Sequence, residues 1–372
     1  MIKVTLAVTN DIVTDNRLHK IANTLFNNGF VVTVVGRKFT SSANLFNRPY
    51  KTRRFRLWFN KTMFFYANYN LRLFLYLLKV PVDIIVANDL DTLLACWLAA
   101  KIRRKVLLFD SHELFTELPE LIDRPFIKKI WHLNERFLLR GIDKGYTVSS
   151  PIQEYFKTKY KHNFELIRNT GVFRNEYFMK PIPKEKIVIY QGAVNIGRGL
   201  ELMMETLKLM DNTKLWIIGD GDILDDLKLL AINLGVENKV IFFGKIALDS
   251  LVSYTSKAHI GISLEEDLGL NYRYSLPNKI FDYIQCRVPV IVSDLPEMRS
   301  LIEKHRIGIV IKDRKPQKLA EIIENLSNDE EKQETLSYNL ELASRELCWQ
   351  REEEKIVNLY RNAAELVNYR TV

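Results

Sequence analysis

The sequence predicts an α/β protein with two doubly wound domains facing across a cleft. Three observations carry that expectation. Short β-rich apolar runs alternate with longer helix-period segments through all 372 residues, as when helices cross between strands of a parallel sheet. The alternation stops at "MKPIPKEK" (Met179–Lys186), where two prolines among charges read as a linker, and then restarts. The chain is also longer than one core usually fills, so two domains meeting near residue 180 are expected.

In the first half the strands are expected at Lys3–Val8, Val31–Val35, Asp83–Ala87, Lys105–Asp110, Tyr146–Ser149 and Phe164–Ile167. Most are apolar on both faces, as strands covered by helices on both sides must be. In the second half they are expected at Ile187–Tyr190, Leu215–Ile218, Val240–Phe243, Ile260–Leu264, Val290–Ser293 and Ile309–Ile311. Helical segments, Asp329–Leu347 and Arg351–Val367, close the chain. Ligands of such sheets bind beyond the carboxyl ends of the strands, so the loops there are where chemistry is sought.

Composition narrows the class. Hydrophobic residues make up 47% and charged residues 27%, ordinary for a folded globular chain. Cys96, Cys286 and Cys348 are too few and too scattered for a disulfide framework or a cysteine metal site, which fits a reducing compartment. "MIKVTLAV" enters a strand without a leader-like stretch, and no uncharged apolar run reaches a membrane-spanning length. A cytoplasmic location is expected. The net charge of +9 is one-sided: between Asp15 and Asp83 there are twelve Lys and Arg and no acidic residue. Such a field attracts polyanions, either anionic lipid or nucleic acid.

The stretch "VIYQGAVNIGRGLE" (188–201) places Gly192, Gly197 and Gly199 in a strand-to-helix turn, ahead of a helix expected over Leu200–Met210. Exposed amides and the helix dipole there favour an anion, and Arg198 adds a fork suited to phosphate oxygens. The Lys-Ser/Thr pair of a nucleoside triphosphate loop is missing, so no magnesium-holding hydroxyl follows. A tight turn with a solvated arginine is the plain alternative. The stretch "NYRYSLPNKIFDYIQCRVPVIVSD" (271–294) offers Ser275 or Asn278 as helix caps and Pro277 at the helix start. Lys279 falls in that first turn, unfavourable unless an anion binds. Asp282 lies one turn on, able to accept from a ribose diol. A capped surface helix with a Lys–Asp pair is the plain alternative here.

At these residues the chain resembles glycosyltransferase family 4, enzymes of the GT-B fold with two Rossmann-like domains and nucleotide-sugar donors. The matching pieces of the second half stand in order: "YQGAVNIGRGLE", "LWIIGDGD", "VIFFGKIALDSLVSYTSKAHIGISL", "LPNKIFDY" and "VPVIVSDLPEM". "DNRLHKIANTLFNNGFVVTVV", "VANDLDTLLA", "FDSHELFTELPE" and "YTVSSPIQEYF" match more loosely in the first half. The resemblance implies an acceptor-binding domain at 1–180, a donor-binding domain at 181–348, and a helix at 349–372 crossing back to the first domain.

Carried over by position, Gly192, Gly197, Gly199 and Arg198 would hold the donor diphosphate, with Lys279 also at the phosphates. Gly219 and Gly221 would form the loop after the second strand. Gly244 and Lys245 would lie near the base, and Asn278 and Asp282 at the ribose. His112, Glu113, Asp15 and Arg17 would face the transferred sugar or the acceptor. Arg198, Lys279 and His112 are the catalytic candidates. Three positions depart from the family pattern: Tyr274 where a glutamate eight before Asp282 is common, Ala193 for an arginine, and Arg287 for a glycine.

The resemblance implies a retaining transfer without a metal, the cations stabilising the departing nucleotide, and no cofactor beyond the donor. "DGD" (Asp220–Asp222) and "DLD" (Asp89–Asp91) mimic metal motifs, but the former lies in a glycine-rich strand–helix loop of a different fold. The acceptor would be a saccharide or lipid-linked, in cell-surface polysaccharide synthesis, with residues 37–79 meeting an anionic membrane. That segment interleaves its cations with Trp58, Phe59, Phe64, Phe65 and Tyr66. No helix-turn-helix, zinc or RNA-recognition signature accompanies it, so no nucleic acid is expected. A nucleotide-sugar epimerase on the same scaffold and a non-catalytic saccharide or membrane interaction protein are the other readings.

Overall fold

The computed structural model describes residues 1–40, 42, 44, 45, 47–59, 62–118, 121, 124–175 and 185–371. The chain divides into two compact units, Met1–Arg168 with Glu352–Val372, and Asn169–Arg351. Most of the proline–lysine linker expected at 179–186 lies outside the described residues.

In the first unit, strands β1 (Lys3–Asp11), β2 (Val31–Arg37), β3 (Lys51–Phe55), β4 (Ile84–Asn88), β5 (Val106–Ser111), β6 (Lys144–Thr147) and β7 (Glu165–Leu166) form one sheet. Its order is β3-β2-β1-β4-β5-β6-β7, with every ladder parallel. The crossover helices are α1 (Asn16–Asn27), α2 (Thr62–Lys79), α3 (Leu90–Arg103), α4 (Pro125–Leu138) and α5 (Ser150–Tyr160). β4 and β5 are buried at every position, which is why they read as continuous apolar runs. β3 was not expected. Its sequence "KTRRF" lacks an apolar run because it is an edge strand, and only Phe55 is buried.

The second unit repeats the plan with β8 (Lys186–Gln191), β9 (Thr213–Ile218), β10 (Val240–Gly244), β11 (Ile260–Ser263), β12 (Val290–Ser293) and β13 (Gly308–Ile311). Its order, β10-β9-β8-β11-β12-β13, is again wholly parallel. Helices α6 (Leu200–Leu207), α7 (Leu224–Leu234), α8 (Leu248–Thr255), α9 (Leu270–Arg273), α10 (Asn278–Gln285), α11 (Pro296–His305), α12 (Pro316–Asn328) and α13 (Glu330–Glu346) complete it. Alternate strand residues feed opposite faces: Val188 and Tyr190 join one apolar core, Ile187 and Ile189 the other. Burying each such side chain contributes roughly 1.5–3 kcal/mol, so both faces must be covered.

Both sheets are the doubly wound arrangement the alternation predicts, and each is Rossmann-like. Strand order reverses between β1 and β4 in one unit and between β8 and β11 in the other. These are the switch points, where loops diverge and leave a crevice beyond the carboxyl ends. The closing helix α14 (Trp349–Thr371) belongs from Glu352 onward to the first unit.

Candidate functional site

At the second unit's switch point the glycine turn follows β8. An added Cβ on Gly219 would stand 1.8 Å from the Gly192 carbonyl oxygen, and one on Gly199 2.3 Å from that of Leu264. The loops after β8, β9 and β11 thus press backbone on backbone, and only glycine allows it. This packing also aims Arg198. Its guanidinium lies 4.9 Å from the Tyr272 ring centroid, and Nη1 is 3.6 Å from Glu265 Oε1.

From the other side, Lys279 in the first turn of α10 donates to the same Glu265 Oε1 at 2.8 Å, with Nζ 3.8 Å from the Tyr190 ring centroid. Ser263 Oγ donates to Glu265 Oε2 at 2.6 Å. Burial pushes the Glu265 carboxyl up, but Lys279 and Arg198 outweigh it and hold the group below its ordinary range. Two cations therefore meet one buried carboxylate, leaving local positive charge. Neither α6 nor α10 has a side-chain cap, so their first-turn amides keep their capacity for an anion. The expected caps do not form: Pro277 is the N-cap of α10, Asn278 is its first residue, and Ser275 donates instead to the Tyr272 carbonyl. The cation in that first turn is met by the protein's own carboxylate.

The remaining second-unit candidates have local partners. The Asp282 carboxylate accepts from Gln191 Nε2 at 2.8 Å, and does not pair with Lys279, which goes to Glu265. Gly219 N–H donates to the Gly244 carbonyl at 2.8 Å. Lys245, exposed, pairs with Asp220 at 3.2 Å. Glu265 was missed by sequence reasoning. The available signal was "SLEEDLG", acidic residues directly after the strand at the switch point.

The first unit gathers a second ionic cluster beyond β4 and β5. Arg17 is buried and grips Asp110 with two bonds, Nε–Oδ2 3.1 Å and Nη2–Oδ1 2.8 Å. Its Nη1 donates to the Ile167 carbonyl at 3.0 Å. His112 Nε2 lies 2.9 Å from Asp110 Oδ2, and Nδ1 3.2 Å from Asp89 Oδ2. Burial works against charge on the ring, yet Asp110 and Asp89 prevail and raise its pKa to about 10. His112 is therefore an imidazolium at neutral pH, with 22% of its side chain accessible. In that form it offers positive charge rather than a free ring nitrogen.

Asp89 has φ 61° and ψ 166°, a conformation costing a non-glycine residue about 1–3 kcal/mol. It is held by its N–H on the Asp110 carbonyl (2.8 Å) and by its carboxylate accepting the His112 N–H (2.8 Å). Asp91, buried beside it, accepts from Thr9 Oγ1, and burial lifts its pKa to about 7. Asp15 caps α1 through the Leu18 N–H at 2.9 Å. Glu113 is half-buried, and its carbonyl accepts from Ser111 Oγ at 2.9 Å. Arg17, expected to face the acceptor, is buried with its guanidinium engaged by Asp110 and the Ile167 carbonyl inside the unit.

The chain is similar to known proteins. A family model described as glycosyl transferases group 1 matches residues 174–342, and one described as glycosyltransferase family 4 matches 15–170. An uncharacterized glycosyltransferase of Methanocaldococcus jannaschii is 25% identical over 189 residues, 49% of this chain and 46% of the relative. The alpha-monoglucosyldiacylglycerol synthase of Streptococcus pneumoniae is 35% identical over 116 residues, 31% of this chain and 24% of the relative. A chitobiosyldiphosphodolichol beta-mannosyltransferase of Candida albicans is 22% identical over 243 residues, 58% of this chain and 52% of the relative. The chain thus spans about half or less of the length of these curated relatives. Among solved structures, sucrose-phosphate synthase from Thermosynechococcus elongatus aligns with TM-score 0.79 at 17% identity, covering 98% of this chain and all of the other. Anabaena HepE in complex with UDP and glucose aligns with TM-score 0.76 at 16% identity, covering 97% and 100%.

Proposed function

The chain belongs to glycosyltransferase family 4, and we propose that it is a retaining transferase using a nucleotide-diphosphate sugar, of the UDP type, without a metal ion. The acceptor is a saccharide or lipid-linked, in cell-surface polysaccharide synthesis. One observation carries the reading: Arg198 and Lys279 converge on one buried carboxylate beside two uncapped helix starts, at the second unit's switch point. Transfer breaks the bond from the anomeric carbon to the diphosphate, forms one to the acceptor oxygen, and passes the acceptor proton to the departing phosphate. Negative charge grows on the leaving nucleotide, where the two cations and the amides stabilise it more than in the ground state. The choice of donor leans on HepE, solved with UDP-glucose. The choice of acceptor leans on relatives named for lipid-linked sugars.

The chain works at the inner face of the membrane, on anionic lipid met by residues 37–79. Lys51, Arg53, Arg56 and Lys79 are exposed in that segment, as are Trp58, Phe59 and Phe64. Arg37, stacked on Phe39 and Phe65, and Arg54, paired with Asp11, are turned inward. Among the described residues no helix is long and apolar enough to cross a membrane.

Calorimetry with UDP and GDP tests the donor site. The wild type is expected to bind UDP. Arg198→Ala should lose that binding, with transfer down about 10²–10³-fold, the cost of one preorganised donor. Unchanged UDP binding and transfer in Arg198→Ala would place the diphosphate elsewhere.

A further inference from the structure

Helix α4 of the first unit exposes Phe126, Ile130, Leu133 and Phe137, at 74%, 39%, 59% and 56%. Spaced i, i+4, i+7 and i+11, they form one apolar stripe on a single helix face. The stripe runs into a pocket of about 600 Å³ in the same unit, walled by Phe137 and Trp97, whose rings lie 5.3 Å apart. Lys101, Arg104, Arg140 and Arg370 also line it. Arg370 is ion-paired with Asp143, and Lys101 lies 4.8 Å from the Trp97 ring centroid. Arg104 and Arg140, both exposed, make no ion pair among the described residues. A helix C-terminus favours cations near Arg104, but that explains neither Arg140 nor the aromatic walls.

We propose that this pocket binds the phosphate of an anionic phospholipid headgroup while the α4 stripe enters the adjoining apolar layer of the membrane. Five cations, Lys105 included, against two carboxylates, Asp83 on Lys105 and Asp143 on Arg370, fit an anion, and aromatic walls continuous with an apolar stripe fit an amphiphile that a free phosphate is not. Lys105 and Gly141, which precede β5 and β6, line the pocket, so it lies at the amino ends of those strands. The His112 cluster stands at the other end of β5, about 20 Å away for six residues. The inference is independent of the donor site and of residues 37–79.

Flotation of the full chain with vesicles of phosphatidylcholine alone, or mixed with phosphatidylglycerol, tests it. The wild type should float with the anionic vesicles only, and less at high salt. Arg104→Glu/Arg140→Glu and Leu133→Ser/Phe137→Ser should each cut binding at least tenfold, whereas Arg104→Lys/Arg140→Lys should retain it. Far-UV circular dichroism of each variant confirms that it is folded. If the charge-reversal variant misfolds, Leu133→Ser/Phe137→Ser alone decides. Wild-type binding by both pocket variants, with loss only in Lys51→Glu/Arg53→Glu, would overturn the inference and leave the 37–79 surface standing. Equal flotation with neutral vesicles would overturn it too. So would no flotation at all together with self-association abolished by Leu133→Ser/Phe137→Ser, since the stripe would then be a protein interface.

Discussion

Glu265 is buried and still ionised, and that state decides how the donor site responds to substitution and to pH. Removing its charge in Glu265→Gln leaves Lys279 and Arg198 without a counter-ion, a change that typically costs 3–5 kcal/mol for a buried pair; urea unfolding measures it. Because the folded carboxyl titrates below its ordinary value, its stabilisation is complete above the unfolded value of about 4.3 and disappears as pH falls through the lower folded value. Acid unfolding of Glu265→Gln should therefore be less steep than that of the wild type. His112 has the opposite sign. Its pKa is raised to about 10, so its stabilisation is complete below about 6.5 and is lost as pH rises toward 10. Proton NMR should find the His112 ring untitrated between pH 5 and 8. In Asp110→Asn its pKa should fall, since the nearer carboxylate charge is gone. A ring that titrates near 6.5 in the wild type would contradict the ionic cluster.

Turns rather than helices make the donor site work at the scale of elements. Gly219 and Gly244 both have positive φ, 146° and 66°, but only the first is in backbone contact. Gly219→Ala should cost 1–3 kcal/mol or more through overpacking and abolish UDP binding, because the turn that aims Arg198 must shift. Gly244→Ala, with nothing within 4 Å of its Cβ, should cost only the left-handed strain of about 1–2 kcal/mol and keep UDP binding. Calorimetry on both separates close approach from backbone freedom. Arg287 shows the same logic from the family side. It stands where the family has glycine, and its φ is 58°, so the left-handed geometry is kept without the permissive residue. Arg287→Gly is expected to raise the melting temperature modestly, the relief being at most about 1–2 kcal/mol.

For the whole molecule, the closing helix completes the first unit's core. Ile356, Tyr360 and Ala363 are fully buried, and Tyr360 Oη lies 3.0 Å from that of Tyr146, itself beside Arg17. Losing two or three large apolar side chains, each contributing roughly 1.5–3 kcal/mol, rivals a typical domain's net stability of 5–15 kcal/mol. A chain ending at Arg351 should therefore lose the first unit's cooperative melting, while UDP still protects the second unit against proteolysis. Loss of both together would show that the units are not independent.

The sequence by itself determined the fold class and nearly every strand, because a strand covered on both faces must be apolar at each position and the pattern is local. It also picked out Arg198 and Lys279, since glycine-turn and helix-start chemistry is written in neighbouring residues. It did not reveal β3, whose edge position relieves it of an apolar run. Nor did it reveal Glu265 as the shared counter-ion, or that Arg17 turns inward to Asp110 while Asp89 and Asp110 hold His112 charged. Apart from the local His112–Asp110 contact, those pairings join residues from 14 to 93 positions apart, and only the parallel order of the strands brings them together. Distance in the chain sets no limit on electrostatics, so the tertiary structure alone decides which charges meet.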